Sequence, residues 1–236
     1  MKITKAFLYV DNIERTKNFY VETLGFNKLS ETTTSFEIQV GSSIIGFELD
    51  PLYESKQYHF AFNIPENLFI EAKEWIKRHT SLLIHREKDE IFFESINAHS
   101  VYFYDSEENV VELIARHALN PAKNVQHFTA QDILDIAEMN LTTNNLLEAG
   151  EKLKEIGVSE RHHLPLDKSG LNFLGEPGDG THILLGPNGR NWFFSPKEAV
   201  TSPIMIELNN QYRLQLDTKG ILHYEMFQKP SVLHKN

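Results

Sequence analysis

An acidic residue interrupts an otherwise apolar segment near the middle of the chain. The segment NVVELIA, residues 109–115, has the composition of a β-strand, and Glu112 lies at its centre. Burying a carboxylate costs free energy unless the group is paired or bound to a ligand. A second acid, Glu48, precedes a leucine in the same way in the segment SIIGFEL, residues 43–49. The recurrence of this feature indicates a chemical role for Glu112.

A histidine occupies a similar strand-like segment. In YHFAFNI, residues 58–64, the side chains of Tyr58, Phe60 and Phe62 alternate with those of His59 and Ala61. Successive residues of a strand point to opposite faces, and the aromatic face is the better surface for a helix to pack on. His59 is therefore predicted to lie on the face that the helix leaves free.

The elements around these residues form an internal repeat. Residues 1–50 have the pattern of a strand, a helix and three further strands. The next sixty or so residues repeat that order, with the strand QYHFAFNI, the helix PENLFIEAKEWIKRH and four strand-like segments, one of which is an extension or a lead-in. An internal repeat constrains the fold more strongly than a single motif does.

A third portion follows the link HALNPAKNVQHF. It begins with the strand ILDIAEMNL and the helix TTNNLLEAGEKLKEIGV, and it continues with hairpins that have glycine turns. When the helices of the second and third units are aligned, Ile136 takes the position of His59, so we expect no metal ligand there. The predicted division is therefore 1–118 for two paired units and 128–228 for a partial third unit.

The composition excludes several functional classes. The chain has 236 residues and no cysteine, which excludes disulfides, thiolate metal sites and a cysteine nucleophile. A formal net charge of −10 disfavours binding to a nucleic-acid backbone. No segment is apolar enough over about 18 residues to span a membrane, and the N-terminus lacks the apolar region of a signal peptide. The expected compartment is a reducing cytoplasm.

The ordered set of segments resembles the vicinal oxygen chelate superfamily, which includes glyoxalase I, the bleomycin- and fosfomycin-resistance proteins and the extradiol dioxygenases. The segments FLYVDNIERTKNFYVETLGF, HFAFNIP and HSVYFYDSEENVVEL carry the resemblance, which covers residues 1–118 well and the third portion weakly. It implies an α+β fold of paired βαβββ modules that curve into a cup, with a partial βα-hairpin module behind them. It also implies a small oxygen-rich molecule as substrate or ligand, and a homodimer is compatible with it.

In that superfamily the metal ligands come from the first and last strands of each module. The corresponding positions here are Lys5, Glu48, His59 and Glu112. Two carboxylates and an imidazole suit a divalent ion such as Mn, Fe, Ni or Zn. Lys5 departs from the pattern, because a charged ammonium group has no lone pair to donate. The resemblance further implies that Glu112 is the catalytic residue that moves a proton.

Three functions remain open for this set of residues. The first is a metal-dependent lyase or dioxygenase that uses Glu48, His59 and Glu112. In the second, Lys5 replaces the metal by pairing with Glu48 or Glu112, and the cup binds or sequesters a small molecule without an ion, as in bleomycin-resistance proteins. In the third, the extra module fills or covers the cup, and the main role of the protein is to interact with another molecule.

Other residues are weaker candidates for a functional role. His99 is expected at the polar edge of the cup, His162 and His163 in a solvated loop, and the segment Trp192–Phe194 in the core. The glycine-rich segments GEPGDG and GPNGR lack the Gly-Lys-Ser/Thr continuation of a phosphate-binding loop and are interpreted as turns.

Overall fold

The computed structural model describes residues 1–50 and 56–227. Its helices are α1 (Ile13–Lys17), which continues as a π-helical turn over Asn18–Thr23, α2 (Phe69–Lys77) and α3 (Leu146–Glu155). The strands are β1 (Ile3–Val10), β2 (Lys28–Glu31), β3 (Ser35–Val40), β4 (Ser43–Leu49), β5 (His59–Asn63), β6 (Ile91–Phe93), β7 (Ala98–Tyr104), β8 (Val110–Arg116), β9 (Asp135–Thr142), β10 (Asn172–Leu174), β11 (His182–Gly186), β12 (Ile204–Leu208), β13 (Tyr212–Leu216) and β14 (Leu222–Met226). The predicted α+β class is confirmed.

The internal repeat is present in the sheet. In each unit the first strand lies parallel to the last, with β1 beside β4, β5 beside β8 and β9 beside β11. The first two units have three strands after their helix, and the third has two. The prediction of βαβββ units followed by a partial copy is therefore confirmed. An antiparallel meander, β12 to β14, completes the sheet.

The pairing between units differs from the expectation that the first two units pair with each other. The first strand of the second unit, β5, lies antiparallel to β9 of the third unit. The first strand of the first unit, β1, lies antiparallel to β12 of the meander and meets β9 at one residue pair, Ile3 and Ile136. One cup is thus built from the second and third units, and the sheet runs across the predicted division between residues 118 and 128.

The helices pack on one side of the sheet, as the alternation of the strands predicts. On α2 the buried residues are Phe69, Ala72, Trp75 and Ile76, and the helix begins at Phe69 instead of Pro65. The strand-like segment 81–87 forms only isolated bridges and is a lead-in to the unit. No helix in the described ranges is both long and apolar enough to cross a membrane.

Candidate functional site

Three ionisable side chains meet on the face of the sheet opposite the helices. His59 extends from β5, Glu112 from β8 and Glu138 from β9. One ligand atom of each residue lies within 4.8 Å of those of the other two, and all three residues are buried. We call this group the His–Glu–Glu cluster.

The strand register brings the two carboxylates together. Ala61 on β5 is the cross-strand partner of Glu112 on one side and of Glu138 on the other. Partners in adjacent strands point to the same face, so both acids extend beside the Ala61 methyl group. Because alanine is small, the space above it remains available to the carboxylates.

A β-bulge determines the direction of Glu138. Ile136 and Met139 both lie in the main core, although simple alternation would place residues three apart on opposite faces. The pairing of β5 with β9 shifts register between Ala61 and Phe62, which accommodates one extra residue on β9. Glu138 consequently points into the cup, whereas an unbroken strand would turn it toward the helices.

A backbone contact fixes the orientation of the His59 ring. Nδ1 lies 2.9 Å from the carbonyl oxygen of Val110, so that nitrogen donates a hydrogen and Nε2 carries the lone pair. Nε2 lies 3.7 Å from Oε2 of Glu112. Burial lowers the pKa of His59, which favours the neutral ring. A neutral imidazole held in this way is ready to donate electrons to a metal ion.

The two carboxylates differ in their surroundings. Burial and then the charge of Glu138 raise the pKa of Glu112 to about 8, against the opposing effects of Ser100, Arg116 and Tyr102. Glu138 accepts a hydrogen bond from Nη2 of Arg116 at 2.6 Å, and both of these side chains are buried. Glu112 is therefore the carboxylate of the pair that lacks a compensating positive charge.

The cluster fits a divalent cation. One imidazole nitrogen and two carboxylates form a donor set used by Mn, Fe, Ni and Zn. The raised pKa of Glu112 shows that burial and its neighbouring acid disfavour its charge, and a bound cation would reverse that effect. His59, Glu112 and Glu138 are the residues that would hold the ion.

A cavity of ≈ 350 Å³ adjoins the cluster. Its ionisable lining residues are the three members of the His–Glu–Glu cluster together with Arg161 and Arg190. Its aromatic lining includes Phe93, Tyr102, Phe173, Trp192 and Phe193. This volume lies at the lower end of the range of small-molecule pockets. The arrangement can hold a small molecule with polar atoms at the cluster and an apolar part against the aromatic rings.

The structure separates the residues that the sequence had grouped. Glu48 is exposed on β4 and does not join the cluster, in which Glu138 is the second acid. Lys5 pairs with Glu37, with Nζ and Oε1 2.7 Å apart, so the expected pairing with Glu48 or Glu112 is wrong. His59 and Glu112 are the two sequence candidates that the fold brings together.

Two functional features escaped the sequence prediction. Glu138 interrupts the apolar segment DIAEMNL, residues 135–141, just as Glu112 interrupts its own strand, and this signal was available. The alignment of the helices placed Ile136 at the position of His59, and it therefore predicted no ligand on this strand. Trp192 and Phe193, expected only as packing residues, line the cavity. His162 and His163 are exposed, as predicted.

His99 and His182 lie outside the cluster. His99 Nδ1 lies 2.7 Å from Nε2 of His117, between the rings of Phe69 and Phe92. His182, on β11 beside Glu138, is buried, and neither ring nitrogen has a hydrogen-bond partner within the described residues. Burial lowers the pKa of His182 to about 4. It is therefore a neutral ring at the floor of the cup.

Comparison with known proteins finds a family model that matches one segment of the sequence and solved structures that share the fold. A model of a family described as toxoflavin-degrading enzyme matches residues 136–190, which include Glu138 and Arg190. No curated protein matches the sequence.

Two solved structures resemble the chain over most of its length. A protein from Bacillus subtilis described as a dioxygenase has a TM-score of 0.61 at 14% identity, over 95% of this chain and 84% of that one. Glyoxalase I from Zea mays has a TM-score of 0.50 at 15% identity, over 78% of this chain and 66% of that one. At these identities the likeness shows the fold, and the resemblance found in the sequence is confirmed at that level.

Proposed function

We propose that this chain, which has the fold of the vicinal oxygen chelate proteins, is a metal-dependent enzyme of the glyoxalase or dioxygenase kind. In this proposal His59, Glu112 and Glu138 hold a divalent ion, and a small oxygen-rich molecule binds in the adjacent cavity. The observation that carries the proposal is the His–Glu–Glu cluster, whose three ligand atoms lie within 4.8 Å of one another beside that cavity.

Each residue of the cluster has a distinct part in the proposed reaction. A bound divalent ion supplies positive charge that stabilises an anion developing on the substrate. His59 offers Nε2 while Val110 fixes the ring, and Arg116 keeps Glu138 in place. Glu138 is held by Arg116 and Glu112 is not, so we assign Glu112 as the carboxylate that takes up or releases a proton.

A second candidate function is a metal-free binding protein. The observation that favours it is the buried pair between Arg116 and Glu138, which already supplies a positive charge to one carboxylate. With Glu112 protonated, the cluster would then be electrically satisfied without an ion. In that case the cavity would bind or sequester its ligand and perform no metal-assisted chemistry.

Metal stoichiometry separates these two functions. The metal content of the full chain would be measured after purification without chelator, and again after incubation with Mn, Fe, Ni and Zn. We expect one equivalent of metal in the native chain and a loss of affinity of at least about tenfold in Glu112→Gln and in Glu138→Gln, since each removes one ligand charge.

The matched control is Glu48→Gln, which changes an exposed acid on the last strand of the first unit. We expect this variant to bind metal as the native chain does. Absence of metal under every condition would favour the binding protein, and loss of metal in Glu48→Gln would overturn the assignment of the cluster. A chain that binds metal would next be assayed with glyoxalase and ring-cleavage substrates.

A further inference from the structure

The cavity wall contains hydrogen-bond donors that no protein group satisfies. Nε and Nη2 of Arg190 and Nε1 of Trp192 are buried, and within the described residues they have no hydrogen-bond partner. Arg190 and Trp192 both line the cavity beside the cluster. Buried polar groups in folded proteins are almost always paired. Three unpaired donors in one short segment therefore indicate that a ligand supplies the acceptors.

The guanidinium group of Arg190 is held beside the cluster. Its Cζ lies 4.7 Å from the centroid of the Trp192 ring, and that ring lies 5.3 Å from the ring of His59. The positive charge of Arg190 contributes to lowering the pKa of His59. Stacking on an aromatic face orients the guanidinium plane. The N–H groups at its edge can then bind a planar oxyanion in bidentate geometry.

The charges around the cavity favour an anion. Arg161 also lines the cavity, with its Cζ 4.5 Å from the centroid of the Phe173 ring. The structure pairs Glu138 with Arg116, and in the described residues no ion pair joins Arg161 or Arg190 to a carboxylate. Burial lowers the pKa of Arg190, consistent with a guanidinium group that lacks a counter-charge. An anionic ligand would supply that counter-charge.

The shape of the cavity favours a planar molecule. Aromatic rings form much of its wall. Tyr102 comes from β7, Phe173 from β10 and Trp192 from the segment after β11. Flat rings stack favourably on aromatic side chains and bury their faces from water. The volume of ≈ 350 Å³ limits the ligand to a small molecule.

We infer that the cavity selects small planar anions, such as aromatic or conjugated carboxylates and enolates, and that Arg190 binds the oxyanion while Trp192 contacts the ring. This inference deepens the proposed function, on which it rests in taking the same cavity as the ligand site. It assigns Arg190 as a specificity residue for charge, separate from the residues that would hold a metal.

A matched pair of probes tests this selectivity. The probes are 2-hydroxybenzoate, a planar anion, and 2-hydroxybenzamide, its neutral analogue of the same shape. The chain has two tryptophans, and Trp75 is buried in α2 against Phe128. A Trp75→Phe background therefore makes Trp192 the reporter of cavity binding through its fluorescence. Titrations would use the full chain as purified, and again with chelator present.

We expect the anion to bind at least about tenfold more tightly than the amide, the size of effect typical of one charged hydrogen-bonded contact. Arg190→Gln should abolish that preference and leave the weak affinity for the amide nearly unchanged. Arg190→Lys should retain part of the preference, because it keeps the charge and loses the planar fork.

The control is Arg213→Gln, which alters an arginine that lies over the Phe227 ring, outside the cavity. It should leave both affinities unchanged. Equal affinity for the two probes, no binding of either, or a preference that survives Arg190→Gln would overturn the inference. If the native chain binds no metal under any condition and still prefers the anion, the proposed enzyme is refuted and the anion site stands.

Discussion

The first and second units each have a glutamate in their last strand, and the two side chains lie in opposite surroundings. Glu48 on β4 is exposed, whereas Glu112 on β8 is buried, with 3% of its surface accessible. Both acids lie on the face of the sheet opposite the helices, as the alternation in their strands predicts. The difference therefore arises from what covers that face in each unit.

On the first unit this face remains at the surface. A ring from β1, Phe7, lies against Gly46, where an added Cβ would come within 2.4 Å of the ring. Beside it, Lys5 and Glu37 form a half-exposed ion pair. The neighbouring strand β12 belongs to a simple antiparallel meander that adds no second cup.

On the second unit the same face is covered. The third unit pairs along β5 and contributes Glu138, and the segment after β11 packs Trp192 and Phe194 against Tyr102. The burial that gives Glu112 its raised pKa thus comes from residues far away in the chain. Acids on the same face of two repeats become part of a site or of the surface according to their neighbours.

The largest expected difference between the two faces concerns their ion pairs. Arg116→Met would leave Glu138 buried without its partner and should lower the free energy of unfolding by about 3–5 kcal/mol. Lys5→Met breaks a half-exposed pair in the first unit and should cost about 0–1 kcal/mol. Urea unfolding of both variants would measure the two losses. Equal losses would mean that breaking the buried pair costs no more free energy of unfolding than breaking the pair in the first unit.

Added side-chain volume should have a smaller effect on stability than a broken ion pair, and it should again destabilise the second unit more than the first. Ala61→Val would force extra atoms between Glu112 and Glu138 and should cost about 1–3 kcal/mol, with weakened metal binding. Gly46→Ala places a Cβ within 2.4 Å of the Phe7 ring, which must shift, and should cost no more than Ala61→Val because Phe7 is partly exposed. Unfolding curves and metal titrations of the two variants would check this. A more damaging Gly46→Ala would contradict our account of the first unit.

The sequence predicted the elements and the faces well, because both depend on local alternation. His59 and Glu112 lie on the side of their strands that periodicity indicated. The prediction failed at Glu138. Its place in an apolar segment marks an unusual acid, but the bulge in β9 that turns the side chain into the cup leaves no simple mark in the sequence. It failed also for Glu48 and Lys5, because the choice between β9 and β12 as a neighbouring strand depends on tertiary packing.

A separate expected effect, in chelator-treated protein, is a difference in pH dependence between the two glutamates. Because the pKa of Glu112 is raised from 4.5 to about 8, the folded state binds more protons than the unfolded state between those values. The free energy of unfolding should therefore fall as pH rises from 4.5 to 8. Glu112→Gln removes this slope, and relative to the native chain we expect it to gain about 3–4 kcal/mol of stability between pH 5 and pH 8.

Glu48→Gln supplies the comparison, since it makes the same chemical change on an exposed face. Denaturant unfolding at several pH values would give each variant's slope. If Glu112→Gln and Glu48→Gln had the same slope as the native chain, Glu112 would be charged in the folded protein without a metal ion. The cup would then already hold enough positive charge, chiefly from Arg116, to stabilise both of its carboxylates.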